Sequence, residues 1–420
     1  GIYISNASPT FNNCIISDNE VYHYTNNSNS SGGGIYAYNS SSVFTDCKIS
    51  NNKVNAKVNH SSYDAWAYGG GIYIGGSSNV MLQSCIIDGN WAYTHDSNTN
   101  GSSVGYAYGA GVYSNVSGTT TITDCEIAQN KITWDGYHID SRSGGVYAQS
   151  GSMNISYSMI HHNDKQGFYN ESASSMIDQS VISNSDDNGL YRNGGNVNVS
   201  NTIIWGNGSN DGGSITYNYT NRQGSAPGGS GNISKDPWFV DSGNGDYTLK
   251  PGSVCINRGD PSEIDDDATR RDMGVHMYTD THQGSTWYVS SDGDELLGTG
   301  SAGNPLSSIL AAVNLANEGN EIIVSEGTYA GEGNHNIYFL GKAVTVRSAG
   351  LVENTIIDCQ DIAGDRGLVF EAHGSYPAEG ASTVIEGLTI QNGYFSDGTD
   401  GAGIYISNAS PTFNNCIISD

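Results

Sequence analysis

The chain has 420 residues, with 16 Lys and Arg against 43 Asp and Glu and a formal net charge of −27, a balance that argues against a nucleic-acid partner because phosphate binding needs clustered cations. Gly, at 56 residues, follows no Gly-X-Y period, and 36% hydrophobic residues with 27 Tyr supply a long core, which excludes collagen and wholesale disorder. No apolar run approaches the ~18 to 20 residues that cross a bilayer, and no basic-then-apolar leader follows Gly1, so the expectation is a soluble chain, mature or cut from something longer.

Residues 1–18, GIYISNASPTFNNCIISD, recur unchanged as residues 403–420. Two readings fit: one unit plus overlap from a tandem array of near-identical units, which is favoured, or a permuted copy. A shorter period lies inside the long one. The frame Gly-apolar-Tyr-x, about ten residues, then Cys/Ser/Thr-x-Ile, ends on Ile16, Ile49, Ile87, Ile127, Ile160, Ile182 and Ile204. Spacings of 33, 38, 40, 33, 22 and 22 reduce to a 22-residue unit with inserts of 11, 16, 18, 11, 0 and 0 residues, all at one place in the unit. A constant core with variable insertions on one side is a solenoid.

Gly1–Ile4, Gly111–Ser114 and Val197–Val199 alternate apolar and polar positions, with Gly and Asn at the expected corners. Three short strands per unit make one turn, and turns stacking ~4.8 Å apart predict an all-β, right-handed parallel β-helix, the hand following from the crossover rule.

At this point GGGIYAYNSSSVFTDCKISNN and GGGIYIGGSSNVMLQSCIIDGN resemble the coils of secreted bacterial β-helix proteins of the pectate-lyase-like superfamily, and also the repeats of chlamydial polymorphic outer-membrane proteins. Trp287 to Tyr329 looks like the opening of such proteins, and Asp236 to Gly274 like their closing turns. The resemblance implies the fold. It implies little about activity, since the superfamily holds lyases, hydrolases, adhesins and inert stalks.

A closing segment that precedes an opening one predicts two bodies, residues 1–277 and 286–420, joined by a linker at 278–285. About twelve coils stand ~58 Å tall, whereas eight linker residues reach ~28 Å, too short to re-form one continuous helix. Open faces below Gly1 and above Asp420 then predict end-to-end association with copies of the chain. Within the opening segment, Asn304 and Pro305 are the expected N-cap and first turn of an amphipathic helix running to about Asn317, with Leu306, Ile309, Leu310 and Val313 on its apolar face as a lid on the core.

Cys14, Cys47, Cys85 and Cys125 hold one position in four successive coils and read as a column of reduced thiols acting as small hydrophobes, with pairing as the alternative; without a Cys-x-x-Cys or a His column, no metal site is expected. Asn19, Asn52, Asn90, Asn130, Asn163 and Asn207 each stand three residues after the marker Ile and predict a turn-stabilising ladder, since Asn tolerates the left-handed conformation and can bond to its neighbours' backbone; the alternative is a functional role.

The inserts carry Tyr22, Tyr24, Tyr63, Trp66, Tyr68, Trp91, Tyr93, Tyr106, Tyr108, Trp134, Tyr137 and His138. Such rings offer flat faces to sugars or protein partners; the alternative is that the inserts pack on one another as a side lobe. Asn-x-Ser/Thr triplets such as Asn100 and Asn218 are glycosylation candidates in a sequence rich in both residue types.

For catalysis, Lys131, Asp164 and Asp186 fall in one column beside His161 and His162, where two carboxylates could serve a retaining glycosidase or a Lys a lyase; the alternative is a solvated turn. The resemblance to the lyases implies several acidic Ca²⁺ ligands along one face, which this sequence does not display. Glu263 to Asp272, EIDDDATRRD, could hold Ca²⁺, although Arg270 and Arg271 favour a closing turn tied by salt bridges; no other cofactor is expected. The reading that results is an extracellular or cell-surface structural or adhesive module, one unit of a tandem array or fibre, with a polysaccharide lyase or glycoside hydrolase as the rival.

Overall fold

A computed structural model describes every residue except 25–27, 59–63, 97–103, 136–138, 210, 283, 396–400 and 420. Tyr63, Asn100, Tyr137 and His138 therefore lie outside the described residues. The fold is a right-handed parallel β-helix, and no helix among the described residues is long and apolar enough to cross a membrane. The chain divides into two compact units, the first comprising residues 1–224, 242–245 and 273–275, the second the remainder.

In the first unit each coil reuses one sequence pattern. In Ile35–Tyr38, Ile35 and Ala37 point into the core while Tyr36 and Tyr38 point out, as period-two alternation requires. Ile35 pairs in register with Ile2 and Ile72, and the column continues through Val112, Val146, Phe168 and Leu190. The marker isoleucines are superposed: Ile16, Ile49, Ile87, Ile127, Ile160, Ile182 and Ile204 are consecutive partners in one parallel sheet. All seven are buried.

The corners divide two tasks between neighbouring residues. The left-handed residue is not the column Asn but the residue before it: Asp18 (φ 58°), Asn51 (55°), Gly89 (63°), Gln129 (55°) and His162 (51°). The Asn that follows keeps negative φ, which frees its amide to bond along the stack. A second left-handed corner precedes each column Cys, at Asn13, Asp46, Ser84 and Asp124.

The inserts are strands rather than loops. Ser28–Ser31, Ala65–Tyr68, Gly105–Tyr108 and Ile139–Arg142 form one parallel sheet, and Glu20–Tyr24, Lys53–Val58, Trp91–Asp96 and Lys131–Asp135 form another. Their alternating small apolar residues, Val54, Ala56, Ala65, Ala67, Ala92, Ala107, Ala110 and Ile132, make a core of their own. The insert strands thus extend the stack sideways and pack on one another.

The second unit repeats the architecture with three parallel ladders, one running through Thr286–Asp294, Glu321–Val324, Thr345–Ser348, Val384–Glu386 and Thr412–Asn414. The one α-helix among its described residues is shorter than the sequence suggests, Ile309–Leu315, and its N-cap is Ser308, whose hydroxyl accepts from the Ala311 amide at 3.0 Å. Asn304 instead donates to the Leu297 carbonyl, and Leu306 bridges to Val289 in strand fashion. A hydroxyl already in position to satisfy the first-turn amides fixes where the helix begins.

The division between units does not fall at 278–285. Residues 225–241 and 246–272 pack with the second unit. Asn314 Nδ2 donates to the Gly252 carbonyl at 2.8 Å, and a Cβ on Gly252 would lie 2.2 Å from Ala311, so only glycine admits the helix there. The Gly231 amide donates to Ser375 Oγ at 2.7 Å, and the buried Arg258 guanidinium stacks on Tyr376 at 4.8 Å.

Candidate functional site

Two ladders hold the coil corners on which the candidate surfaces are built. The Nδ2 groups of Asn19, Asn52, Asn90 and Asn130 each donate to Oδ1 of the Asn one coil further on, the last to Asn163, at 2.9–3.0 Å. The remaining hydrogen of Asn52, Asn90, Asn130 and Asn163 goes to the carbonyl of Ile16, Ile49, Ile87 and Ile127. Ser185 interrupts the file, and its amide donates to Asn207 Oδ1 at 3.0 Å. These amides are fully used in structure, which is what burial demands of them.

Cys14, Cys47, Cys85 and Cys125 are free thiols, each bonded to the carbonyl two residues back. Ser158 and Ser180 continue the same column with the same bond, and the Cys125 amide donates to Ser158 Oγ at 3.1 Å. The column asks for a compact donor at each step, and a thiol serves where a hydroxyl also would. Burial pushes the Cys47 thiol up from its ordinary value.

Sequence reasoning used the frame tyrosine as a marker and missed its structure. Tyr3, Tyr36, Tyr73, Tyr113, Tyr147, Tyr169 and Tyr191 are register partners pointing out of one sheet, and successive rings stack at 4.9–5.4 Å between centroids. The first insert sheet faces this ladder. Tyr68 stacks on Tyr113 at 4.7 Å, Tyr108 on Tyr147 at 4.9 Å, and Trp66 on Tyr106 at 5.7 Å. Arg142 closes the corner with both Asp140 oxygens at 2.9 Å, Tyr169 Oη at 2.7 Å and Glu171 at 2.9 Å. Burial pushes the Tyr73 and Tyr169 hydroxyls up to about 12 and the Tyr113 and Tyr147 hydroxyls further. Most of these ring faces are spent on each other.

The second insert sheet has the opposite character. Its outward residues include Tyr22, Tyr24, Lys53, Lys57, Trp91, Tyr93 and Lys131, with no strand of the described chain over them. Lys53 Nζ lies 4.3 Å from the Trp91 ring and 5.1 Å from Tyr93; Lys57 lies 5.5 Å from Tyr24. Glu20 reaches Lys53 at 3.7 Å and Asp135 reaches His95 at 3.0 Å. In a chain of net charge −27, this is a place where lysines and rings share one face.

The proposed catalytic column comes together only in part. Asp164 and Asp186 line an open depression of about 370 Å³ together with Trp134, Lys165, Asp187 and Ile132. Asp164 accepts from the Ile132 amide at 2.9 Å, and burial, reinforced by the Asp186 charge, raises its carboxyl above the usual range. Lys165 lies 5.0 Å from the Trp134 ring. Lys131, on the same strand as Ile132 and Trp134, stands in register with Trp91 of the adjacent strand and outside the depression's lining. His161 turns away: its Nε2 is 3.2 Å from Glu126 and its Nδ1 2.9 Å from His162. Lys165 and Asp187 were not among the expected site residues, because each follows its column residue, Asp164 or Asp186, by one position.

The acidic run 263–272 is folded onto itself. Arg271 pairs with Glu263 at 2.8 Å, Asp265 accepts from the Asp272 amide at 2.8 Å, and Asp267 from the Thr269 and Asp280 amides. Asp272 accepts from Asn257 and Tyr278 amides at 2.7 and 2.6 Å, and burial pushes its carboxyl up to about 7.

Compared with known proteins, residues 1–143 match the family model described as the right handed beta helix region. No curated protein sequence matches the chain. Among solved structures it is similar to a mutant of AlyGC, an alginate lyase of the PL6 family, at 10% identity and a TM-score of 0.21, over 99% of this chain and 73% of that one.

Proposed function

We propose that this right-handed parallel β-helix chain is an extracellular or cell-surface structural and adhesive module, a unit of a tandem array or fibre whose insert sheet takes a glycan or a protein partner. The supporting observation is the outward face of that sheet, where Trp91 and Tyr93 stand beside Lys53 and Tyr24 beside Lys57. A parallel sheet repeats its outward positions about every 4.8 Å, and here rings alternate with polar side chains in the columns Glu20, Lys53, Trp91, Lys131 and Tyr22, Asn55, Tyr93, Thr133, a mixed face for an extended polymer. Rings contribute area at small entropic cost, and adjacent ammonium groups favour acidic or hydroxyl-rich ligands. The recurrence of residues 1–18 at 403–420 supports the tandem reading.

The second reading, a polysaccharide lyase or glycoside hydrolase, is favoured by the raised carboxyl of Asp164 beside Asp186. Glycosidic cleavage uses two carboxyl groups flanking the scissile bond, one of them an acid whose proton is held more tightly than usual. A glycan array run beside a reducing-sugar release assay on one preparation separates the two. Binding without sugar release, lost in Trp91→Ala with Tyr93→Ala, is expected; release that disappears in Asp164→Asn and survives the ring substitutions would favour the enzyme.

A further inference from the structure

We propose that the second unit carries a saccharide site of its own at Trp238, taking a chain of amine-bearing sugars. Two cavities, about 300 and 250 Å³, lie within this unit, and Trp238 and Glu332 line both. Each is near the lower end of the range for small-ligand sites, and together they form two subsites sharing one indole.

Trp238 holds a left-handed backbone at φ 50°, uncommon for so bulky a residue. The surroundings impose it. Its amide donates to Asp236 Oδ1 at 2.9 Å, its carbonyl accepts from the Lys250 amide at 2.9 Å, and the preceding Pro237 carbonyl accepts from buried Ser253 at 2.5 Å. Gly333 makes room for the ring, since a Cβ there would lie 2.6 Å from the indole edge and 2.3 Å from Ser308 Oγ. A residue over-determined in a sparsely populated conformation, with its aromatic ring between two cavities, points to a binding role.

The charge around the ring selects the ligand. Asp236, Asp294, Glu295 and Glu332 line the two cavities against Lys235 and Lys250. Lys250 holds its proton more tightly than a free lysine because Glu295 accepts from it at 2.9 Å, with Glu332 and Asp236 adding to the field. An ammonium is thus already stabilised in the cavity that the indole lines, and a second one on a sugar would gain from the neighbouring carboxylates and from the ring face. Ser291, Thr328 and Asn334 supply neutral polar groups for sugar hydroxyls. A uronate would meet an excess of like charge.

The site is independent of the insert sheet in the first unit, and titration calorimetry of the full chain tests it with three probes: a glucosamine tetramer, cellotetraose, which has the same linkage without the amine, and tetragalacturonate. The glucosamine tetramer is expected to bind about ten-fold more tightly than cellotetraose, with no heat from tetragalacturonate at this site. Trp238→Ala should weaken it about ten-fold or more, Glu332→Gln should reduce the preference for the amine, and Trp91→Ala should leave it unchanged. Equal binding of the glucosamine tetramer and cellotetraose, absence of any binding, or wild-type affinity in Glu332→Gln would overturn the proposal. If Trp238→Ala does not fold, Trp238→Phe and Glu332→Gln decide it.

Discussion

Residues 1–18 and 403–420 have one sequence and two environments. Both form strands at the same places, Ile2–Ser5 and Ile404–Ser407, Thr10–Asn12 and Thr412–Asn414, Ile15–Ser17 and Ile417–Ser419. Both turn on left-handed Asn, with φ 53° and 51° at Asn6 and Asn13 and 54° and 48° at Asn408 and Asn415. Burial separates them. Ile4 and Ile16, covered by Ala37 and Ile49, are 4% and 6% exposed, whereas Ile406 and Ile418 are 47% and 54% exposed. Each copy has one stacked neighbour, Ile4 and Ile16 pairing with Ala37 and Ile49 in the coil that follows, Ile406 and Ile418 with Phe370 and Ile390 in the coil that precedes. Local sequence therefore sets the shape of a coil, while the side on which its neighbour lies sets how much apolar area is covered.

The comparison can be broken most severely in the middle of the stack. Ile127→Ala removes a fully buried side chain with partners in both neighbouring coils and is expected to cost about 3 to 4 kcal/mol, read as a lower denaturant midpoint for the first unit. An interior ladder step comes next. Asn90→Ala leaves the Asn52 and Ile49 groups without their bonds and should cost about 2 to 3 kcal/mol, more than Asn19→Ala at the less buried end of the same file.

The second unit adds a pH term. The folded Asp272 carboxyl titrates near 7 against an ordinary 3.8, because burial disfavours its charge. Its contribution is therefore fully present below about pH 4 and is lost as pH rises through about 7, a few kcal/mol at most. Thermal unfolding of the second unit should show this slope, and Asp272→Asn should flatten it. The smallest effect belongs to the thiol column. Cys85→Ser places a hydroxyl where Ser158 and Ser180 already make the equivalent bonds, and less than about 1 kcal/mol is expected by chemical denaturation; a loss several times larger would mean the column needs sulfur for packing.

The stacking was legible because Ile16 through Ile204 recur in one chemical context, and a period survives inserts of any length. The Asn column was legible as a column, but its conformation was not, since αL and side-chain laddering use the same residue type and only the backbone separates Asn51 from Asn52. The outward tyrosines carried a signal, period two after the marker Gly, that points Tyr36 and Tyr73 away from the core. What sequence could not convey was packing between distant segments. Gly252 against Ala311 depends on space, which no periodicity encodes, and so the closing segment falls with the second unit. Likewise, Asp164 and Asp186 share a depression while His161 faces the other way, because His161 ends its strand and the left-handed corner at His162 stands between it and Asp164.

The central claim is that a core side chain stabilises the stack in proportion to how far the neighbouring coil covers it, and identical substitutions in the duplicated segment test it most directly. Ile16→Ala and Ile418→Ala change the same residue in the same sequence, each followed by the unfolding midpoint of its own unit. The account predicts a loss of about 2 to 3 kcal/mol for Ile16→Ala and under about 1 kcal/mol for Ile418→Ala. Equal losses at the two positions would contradict it.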